Sequence, residues 1–158
     1  MRRTSKGTSF LGIDPGVHGA LVLLSADGEI ERVEAQPLIG KSEDLGAMRK
    51  LAAEFAPHCR LVVVEKLFTG PMNRHSAAVL NRLCGLWIGL FLAHQCSMIE
   101  VRPQDWQGRF ISGKKKGTKP AQEYRRYANN LWLDADLDED ESAAALLAEF
   151  GRLRYVRG

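Results

Sequence analysis

Hydrophobic and polar positions alternate along this chain with several different periods, and each change of period marks an element. Ser9 to Asp14 and Ala20 to Ser25 are short apolar runs on either side of a Pro15-Gly16 turn and predict two strands. Asp27-Gly28 is a hairpin signal, and Ile30 to Gln36 predicts a third strand that completes an antiparallel meander. From Ser42 to Phe55 the apolar positions Leu45, Met48, Leu51, Ala52 and Phe55 fall at helical spacing, with Ser42 as the expected cap and Pro57 as the stop. Leu61 to Val64 is an unbroken apolar run ending in Glu65, as in a central strand buried on both faces. A long helix is expected over Ser76 to Gln95, where Gly85 and Gly89 would permit close helix packing, and a fifth strand over Ser97 to Val101. Pro103 to Phe110 reads as a short helix, Ser112 to Thr118 as a flexible basic loop, Pro120 to Leu131 as a helix, and Glu139 to Leu153 as the last helix. This order predicts an α/β fold with a five-stranded mixed sheet flanked by helices. Residues 1–158 are expected to form one domain, with 1–8 and 154–158 as flexible tails.

Composition narrows the class. The 158 residues are 45% hydrophobic and 26% charged, enough to bury a core. No apolar run is seen to reach the roughly 18 residues of a bilayer span, so no membrane partner is expected. The basic Met1-to-Lys6 segment precedes polar residues and a strand, not the apolar stretch of a signal peptide. Cys59, Cys84 and Cys96 lack metal-type spacing and are odd in number, which suits reduced thiols. The expectation is a cytoplasmic, nucleoid-associated protein.

The net charge of +3 is unevenly spread. Arg102 to Arg126 holds eight basic residues against two acids, whereas Asp134 to Glu141 holds six acids and no base. Such a pairing suits a protein that grips a polyanion and also places metal ions, although two solvated surface patches would look the same.

Three places carry candidate chemistry. In Leu11-Gly12-Ile13-Asp14-Pro15-Gly16 an acid ends a core strand, with Gly12 and Gly16 expected to keep the nearby backbone accessible. An acid there loses hydration unless it is paired or binds a metal; bracing the Pro-Gly turn is the plainer alternative. In Val62-Val63-Val64-Glu65 an acid ends the most hydrophobic strand, and ligand sites in open sheets sit beyond strand carboxyl ends. If the two strands are neighbours, Asp14 and Glu65 could share one hard cation, which needs few protein carboxylates because it keeps several waters. Asp140 lies among six acids before an alanine-rich helix, where favourable interaction with the helix dipole is the plainer alternative.

Taken in order, these pieces resemble the RuvC-type Holliday junction resolvases over about residues 9 to 152. The resemblance rests on Gly12-Ile13-Asp14-Pro15-Gly16, Glu65-x-x-Phe68 with Asn73 and Ser76-Ala77, the glycine-containing long helix, Val101-x-Pro103, a Lys119-containing loop and the acidic, alanine-rich last helix. Trp106 and Glu149-Phe150-Gly151-Arg152 look closer to phage and distant branches. The resemblance implies an RNase H-like fold, a homodimer, and metal-dependent hydrolysis of two symmetric strands of a four-way junction. It implies Asp14, Glu65 and Asp140 as metal ligands for two Mg²⁺ ions, which Mn²⁺ could replace, with Lys119 near the cleaved phosphate. Phe68 would stack on a base near the junction centre, or be a core residue. Lys114, Lys115 and Lys116 would contact phosphates without reading sequence, and His75 could touch DNA.

Two departures stand out. The family has a second acid three residues after the first on the last helix, and counting from Asp140 that position is Ala143. Ser142 or Ala144 would be the site only after a slip of register, and Glu141 is another possible source of the oxygen. Whether Ala143 is natural or replaces a catalytic aspartate stays open, and with it the alternative of a catalytically deficient branched-DNA-binding protein. Near Gln107 the family tends to have a lysine, for which Arg109 could substitute. His18, His58, His75 and His94 form no spaced cluster, and Trp87, Trp106 and Trp132 suit core or interface positions. An ATPase of the actin and sugar-kinase type also opens on an Asp-x-Gly turn. It needs a Gly-Thr phosphate loop next, whereas this chain continues Val17-His18-Gly19.

Overall fold

The computed structural model describes residues 7–66, 74–111, 117 and 119–156. Strands β1 (Ser9–Asp14), β2 (Ala20–Leu24) and β3 (Ile30–Ala35) form the expected meander. A two-stranded hairpin follows, β4 (Leu38–Ile39) and β5 (Ser42–Glu43), closed by Gly40 at φ +61°. Helix α1 (Leu45–Phe55) leads to β6 (Cys59–Glu65). Helix α2 (Arg74–Ala93) crosses over to β7 (Met98–Val101). Then come α3 (Pro103–Phe110), α4 (Pro120–Leu131) and α5 (Glu139–Val156).

The large sheet runs β3-β2-β1-β6-β7, antiparallel across the meander and parallel from β1 through β6 to β7. Side chains alternate across it, so each strand feeds two cores. On one face Leu11, Ile13, Val62 and Val64 pack with Met48 and Phe55 of α1 and with Leu83, Trp87 and Phe91 of α2. On the other, Val22, Leu24 and Val63 pack with Trp106 of α3, Tyr124 and Ala128 of α4, and the run Ala143 to Ala148 of α5.

The alanines of α5 follow from how near that helix comes to the sheet. A Cβ on Gly12 would lie 1.9 Å from the carbonyl oxygen of Ala144 and 2.6 Å from the amide of Ala148. Only a strand without a side chain at that point, under a helix of small side chains, permits this approach. Gly12 is thus a packing residue and does not keep the backbone open to a ligand. Gly19 has the other tight backbone of the first turn: a Cβ there would meet the Asp14 carbonyl at 2.1 Å, whereas one on Gly16 would meet the Leu80 side chain at 3.4 Å and the Gly19 amide at 3.7 Å, ordinary contacts.

Several boundaries differ from expectation. Ser42 belongs to β5, and α1 is capped by Asp44, whose side chain accepts from the Ala47 amide at 2.9 Å. Leu45 therefore opens the helix half exposed and does not join the core. Helix α2 stops at Ala93, because Gln95 turns into the left-handed region at φ 57°. Helix α5 continues to Val156, taking up part of the expected C-terminal tail. At the other end Gly7 lies against the His58 carbonyl.

Helix α2 corrects one further expectation, that no segment is long and apolar enough for a bilayer span. It is 20 residues long with an 18-residue window of mean hydropathy 1.5, long and apolar enough on length and composition to cross a membrane. Here it is the crossover between two parallel strands, with Leu83, Cys84, Trp87 and Phe91 buried. A Cβ added at Gly85 or Gly89 would meet nothing within 4 Å among the described residues, so none of the described helices packs on them.

Candidate functional site

Asp14 and Glu65 end adjacent parallel strands, since Ile13 pairs with Val64 in register. Both point to the α5 face. Gly12, two residues before Asp14, meets α5 at Ala144, and Val63, two residues before Glu65, lies against Gly151 of the same helix. Asp140 stands in the first turn of α5, one turn before Ala144, and so faces the strand end that carries Asp14.

The electrostatics record this convergence. Burial holds the Asp14 carboxyl well above the usual range, and the charges of Glu65, Asp140 and Asp138 push the same way. Glu65 is raised by burial, against the opposing effect of a hydrogen bond from Trp106. Asp140 is raised by burial and then by Asp138, while the nearby His18 acts in the opposite sense. Among the described residues, no lysine or arginine forms an ion pair with any of these three acids.

The first turn of α5 separates its acids by role. The Asp138 side chain accepts from the Glu141 amide at 2.8 Å, and the Glu141 side chain accepts from the Asp138 amide at 2.9 Å. This is a capping box with both partners committed to the helix terminus. Ser142 is fully buried, and its hydroxyl donates to the Asp138 carbonyl. Ala144 is fully buried against β1. Ser142 and Ala144 are thus engaged in the helix and sheet packing, and Ala143, 7% exposed, stands one turn beyond Asp140.

The three tryptophans are buried, as their expected core role requires, and each indole N–H has a different acceptor. Trp87 donates to Gln36 Oε1 at 2.8 Å, and Trp132 donates to the Gly28 carbonyl at 2.8 Å. Trp106 donates to Glu65 Oε1 at 2.9 Å. Its ring packs on Tyr124 with centroids 4.9 Å apart, and burial together with the nearby Glu65 pushes the Tyr124 phenol up to about 12. Nothing in the sequence joins residue 106 to residue 65; the contact arises because α3 follows β7, the strand next to β6. No local pattern marks His18 either, since its nearness to Asp140 is tertiary.

The described members of the expected DNA-contacting set lie on three different helices. His75 is exposed in the first turn of α2, Arg109 in the last turn of α3, and Lys119 at the head of α4. Phe68, Asn73, Lys114, Lys115 and Lys116 lie outside the described residues. The cysteines are free thiols, with Cys59 and Cys84 buried.

Among the described residues no three His, Cys, Asp or Glu side chains form a ready metal cage. The donor type, carboxylate oxygen, is nonetheless the one a hard divalent cation takes. Asp14, Glu65 and Asp140 offer carboxylate oxygens that no described lysine or arginine pairs with, and an open set suits an ion that keeps water and takes phosphate oxygens.

A five-stranded mixed sheet of this order, with helices on both faces, is the RNase H-like fold. Two solved structures make the likeness specific. One is Thermus thermophilus RuvC in complex with Holliday junction substrate, with a TM-score of 0.73 at 14% identity, covering 96% of each chain. The other is Thermus thermophilus RuvC, with a TM-score of 0.67 at 18% identity, covering 93% of this chain and 94% of that one. The chain has a RuvC-like fold. No family model and no curated protein sequence matches it.

Proposed function

We propose that this chain is a structure-specific DNA endonuclease that resolves four-way junctions, with a role in recombination and repair. The observation that carries the reading is the placement of Asp14 and Glu65 on adjacent strand ends, with Asp14 repelled by both Glu65 and Asp140 of α5 and all three carboxyls raised by burial. Buried acids whose charges raise one another's pKa cluster at functional sites. The RuvC-like fold, seen elsewhere on a Holliday junction, favours branched DNA as the substrate.

In this reading Asp14, Glu65 and Asp140 hold Mg²⁺, for which Mn²⁺ can substitute. The bound cation supplies Lewis-acid activation of water and of the phosphodiester. The carboxylates stay ionised in its presence, and no histidine base is required. Lys119 offsets negative charge at the cleaved phosphate. Lys114, Lys115, Lys116 and Arg109 hold the backbone, His75 adds a contact, and Phe68 stacks on a base. A junction presents two symmetric strands, so two copies related by a two-fold axis supply two sites. The outward stripe of α2, with Gly85, Gly89 and the 55%-exposed Leu92, suits that contact. Trp87 and Phe91, on the opposite side of the helix, are in the chain's own core.

The deciding experiment compares cleavage of a labelled four-way junction, a linear duplex and an RNA–DNA hybrid in Mg²⁺. Preferential, paired cutting of the junction supports the reading, and equal cutting of all three overturns it. Ala143 favours a second reading, a junction-binding protein with deficient cleavage, in which the junction is bound tightly and left intact.

A further inference from the structure

We propose that Trp106 is a positioning residue for Glu65: its indole N–H fixes one carboxylate oxygen so that the other alone is presented to the cation. The inference rests on the reading of Asp14, Glu65 and Asp140 as the metal-holding set.

Glutamate is a long side chain, and at a strand end it would sample several rotamers. Here Oε1 receives the N–H of Trp106 at 2.9 Å. The donor cannot follow a wandering carboxylate. Trp106 is 1% exposed, its ring is packed on Tyr124, and it sits in the core shared by α3, α4 and α5. A rigid donor on a flexible acid selects one orientation of that acid. With Oε1 engaged by the indole, Oε2 is the oxygen that accepts no hydrogen bond among the described residues and is the better placed for a ligand.

The other two indoles show that this arrangement is not merely how this protein buries tryptophan. Trp87 and Trp132 donate to neutral acceptors, the Gln36 amide and the Gly28 carbonyl, away from the acids. Only Trp106 directs its donor to a carboxylate of the candidate site. Groups that orient a metal ligand through a hydrogen bond typically control affinity by about 10- to 100-fold.

The test measures Mn²⁺ binding to the full chain by electron paramagnetic resonance, without DNA. Trp106→Phe removes the N–H together with part of the ring. A second variant, with benzothienylalanine placed at 106 alone, keeps ring size and removes only the donor, so it remains informative if Trp106→Phe folds poorly. Trp132→Phe is the control for losing a buried indole hydrogen bond of similar length elsewhere. The expected result is Mn²⁺ binding weakened about 10-fold or more in the benzothienylalanine variant, and unchanged in Trp132→Phe. Glu65→Gln separates the two levels of inference. If it abolishes binding while the benzothienylalanine variant binds like the parent, the role of Trp106 is overturned and the site stands. If Glu65→Gln leaves binding unchanged, the metal-holding assignment of Glu65 fails, and the role of Trp106 with it.

Discussion

Asp138 and Glu141 hold each other's backbone amides at the start of α5, at 2.8 and 2.9 Å. This reciprocal bond gives two of the six clustered acids a structural task and leaves Asp140, between them in sequence, free to face Asp14. Asp138→Ala should destabilise the fold by about 1 kcal/mol, the usual cost of losing a cap. Glu141→Gln should change neither stability nor cleavage much, because the amide oxygen still accepts. Denaturant titration and a junction-cleavage assay check both. A Glu141→Gln protein that folds but no longer cuts would make Glu141 a candidate ligand again.

The raised carboxyls make stability depend on pH in a definite direction. An acid whose folded pKa is above its unfolded value favours the fold while protonated, and that contribution is lost as pH rises through the folded pKa. Asp14, Glu65 and Asp140 are all shifted this way, burial first among the causes. Without metal, Asp14→Asn should therefore melt higher than the parent at about pH 8, by roughly 2–4 °C for each kcal/mol of relieved penalty. The difference should vanish below the ordinary carboxylate range. Mg²⁺ should reverse the order, since a ligand at 100 times its Kd adds about 2.7 kcal/mol to the protein that binds it. Calorimetric scans with Mg²⁺ and with chelator measure this, and an Asp14→Asn protein stabilised by Mg²⁺ as much as the parent would contradict the site.

Binding and cutting should separate. Asp14→Asn and Glu65→Gln should abolish Mg²⁺-dependent cleavage yet retain junction binding, because both reduce negative charge facing a phosphate. Replacing Lys114, Lys115 and Lys116 with Ala should weaken binding across all sequences. It should also flatten the log–log salt slope by about 2–3, near 0.9 for each lost phosphate contact. Gel-shift titrations at several salt concentrations are sufficient, and an unchanged slope would remove these lysines from the interface.

Ala143 stands one helical turn beyond Asp140 and is 7% exposed; the resemblance to RuvC-type resolvases expects an acid there. If a carboxylate is missing, Ala143→Asp should raise cleavage of a labelled junction in Mg²⁺ by orders of magnitude. The same change should lower stability without metal by about 1–3 kcal/mol, since it places a fourth acid in a desolvated cluster. Equal cleavage rates would mean that position 143 never belonged to the site.

Dimerisation through α2 has a gentle probe. Nothing among the described residues lies within 4 Å of a Cβ at Gly85 or Gly89, so Gly85→Arg should leave the single chain folded while blocking a second copy. Sedimentation should show the parent as a dimer at micromolar concentration and the variant as a monomer. A strictly monomeric parent, with and without DNA, would rule out the paired-site reading.

Periodicity made the elements legible. The strand meander, the buried β6 and the helices Pro103–Phe110 and Pro120–Leu131 are local patterns, and a local pattern of burial is what a sequence carries directly. The acids at the strand ends were visible for the same reason, since a charge closing an apolar run is conspicuous. Caps and helix ends were less so, because Ser42 and Asp44 are both good caps and the choice was made by the β4–β5 hairpin claiming Ser42. Which acids of the cluster at 134–141 are committed to the helix depended on side-chain rotamers within one turn. The faces of α2 were decided by the sheet beneath it, which took Trp87 and Phe91 and left Gly85 and Gly89 outward. The bond from Trp106 to Glu65 spans 41 positions of chain and exists only because β7 lies beside β6. Sequence by itself determined which residues must be buried and where charge interrupts burial. Tertiary structure alone decided which of those charges meet, because a contact between distant segments is set by strand order and helix approach, which no local pattern encodes.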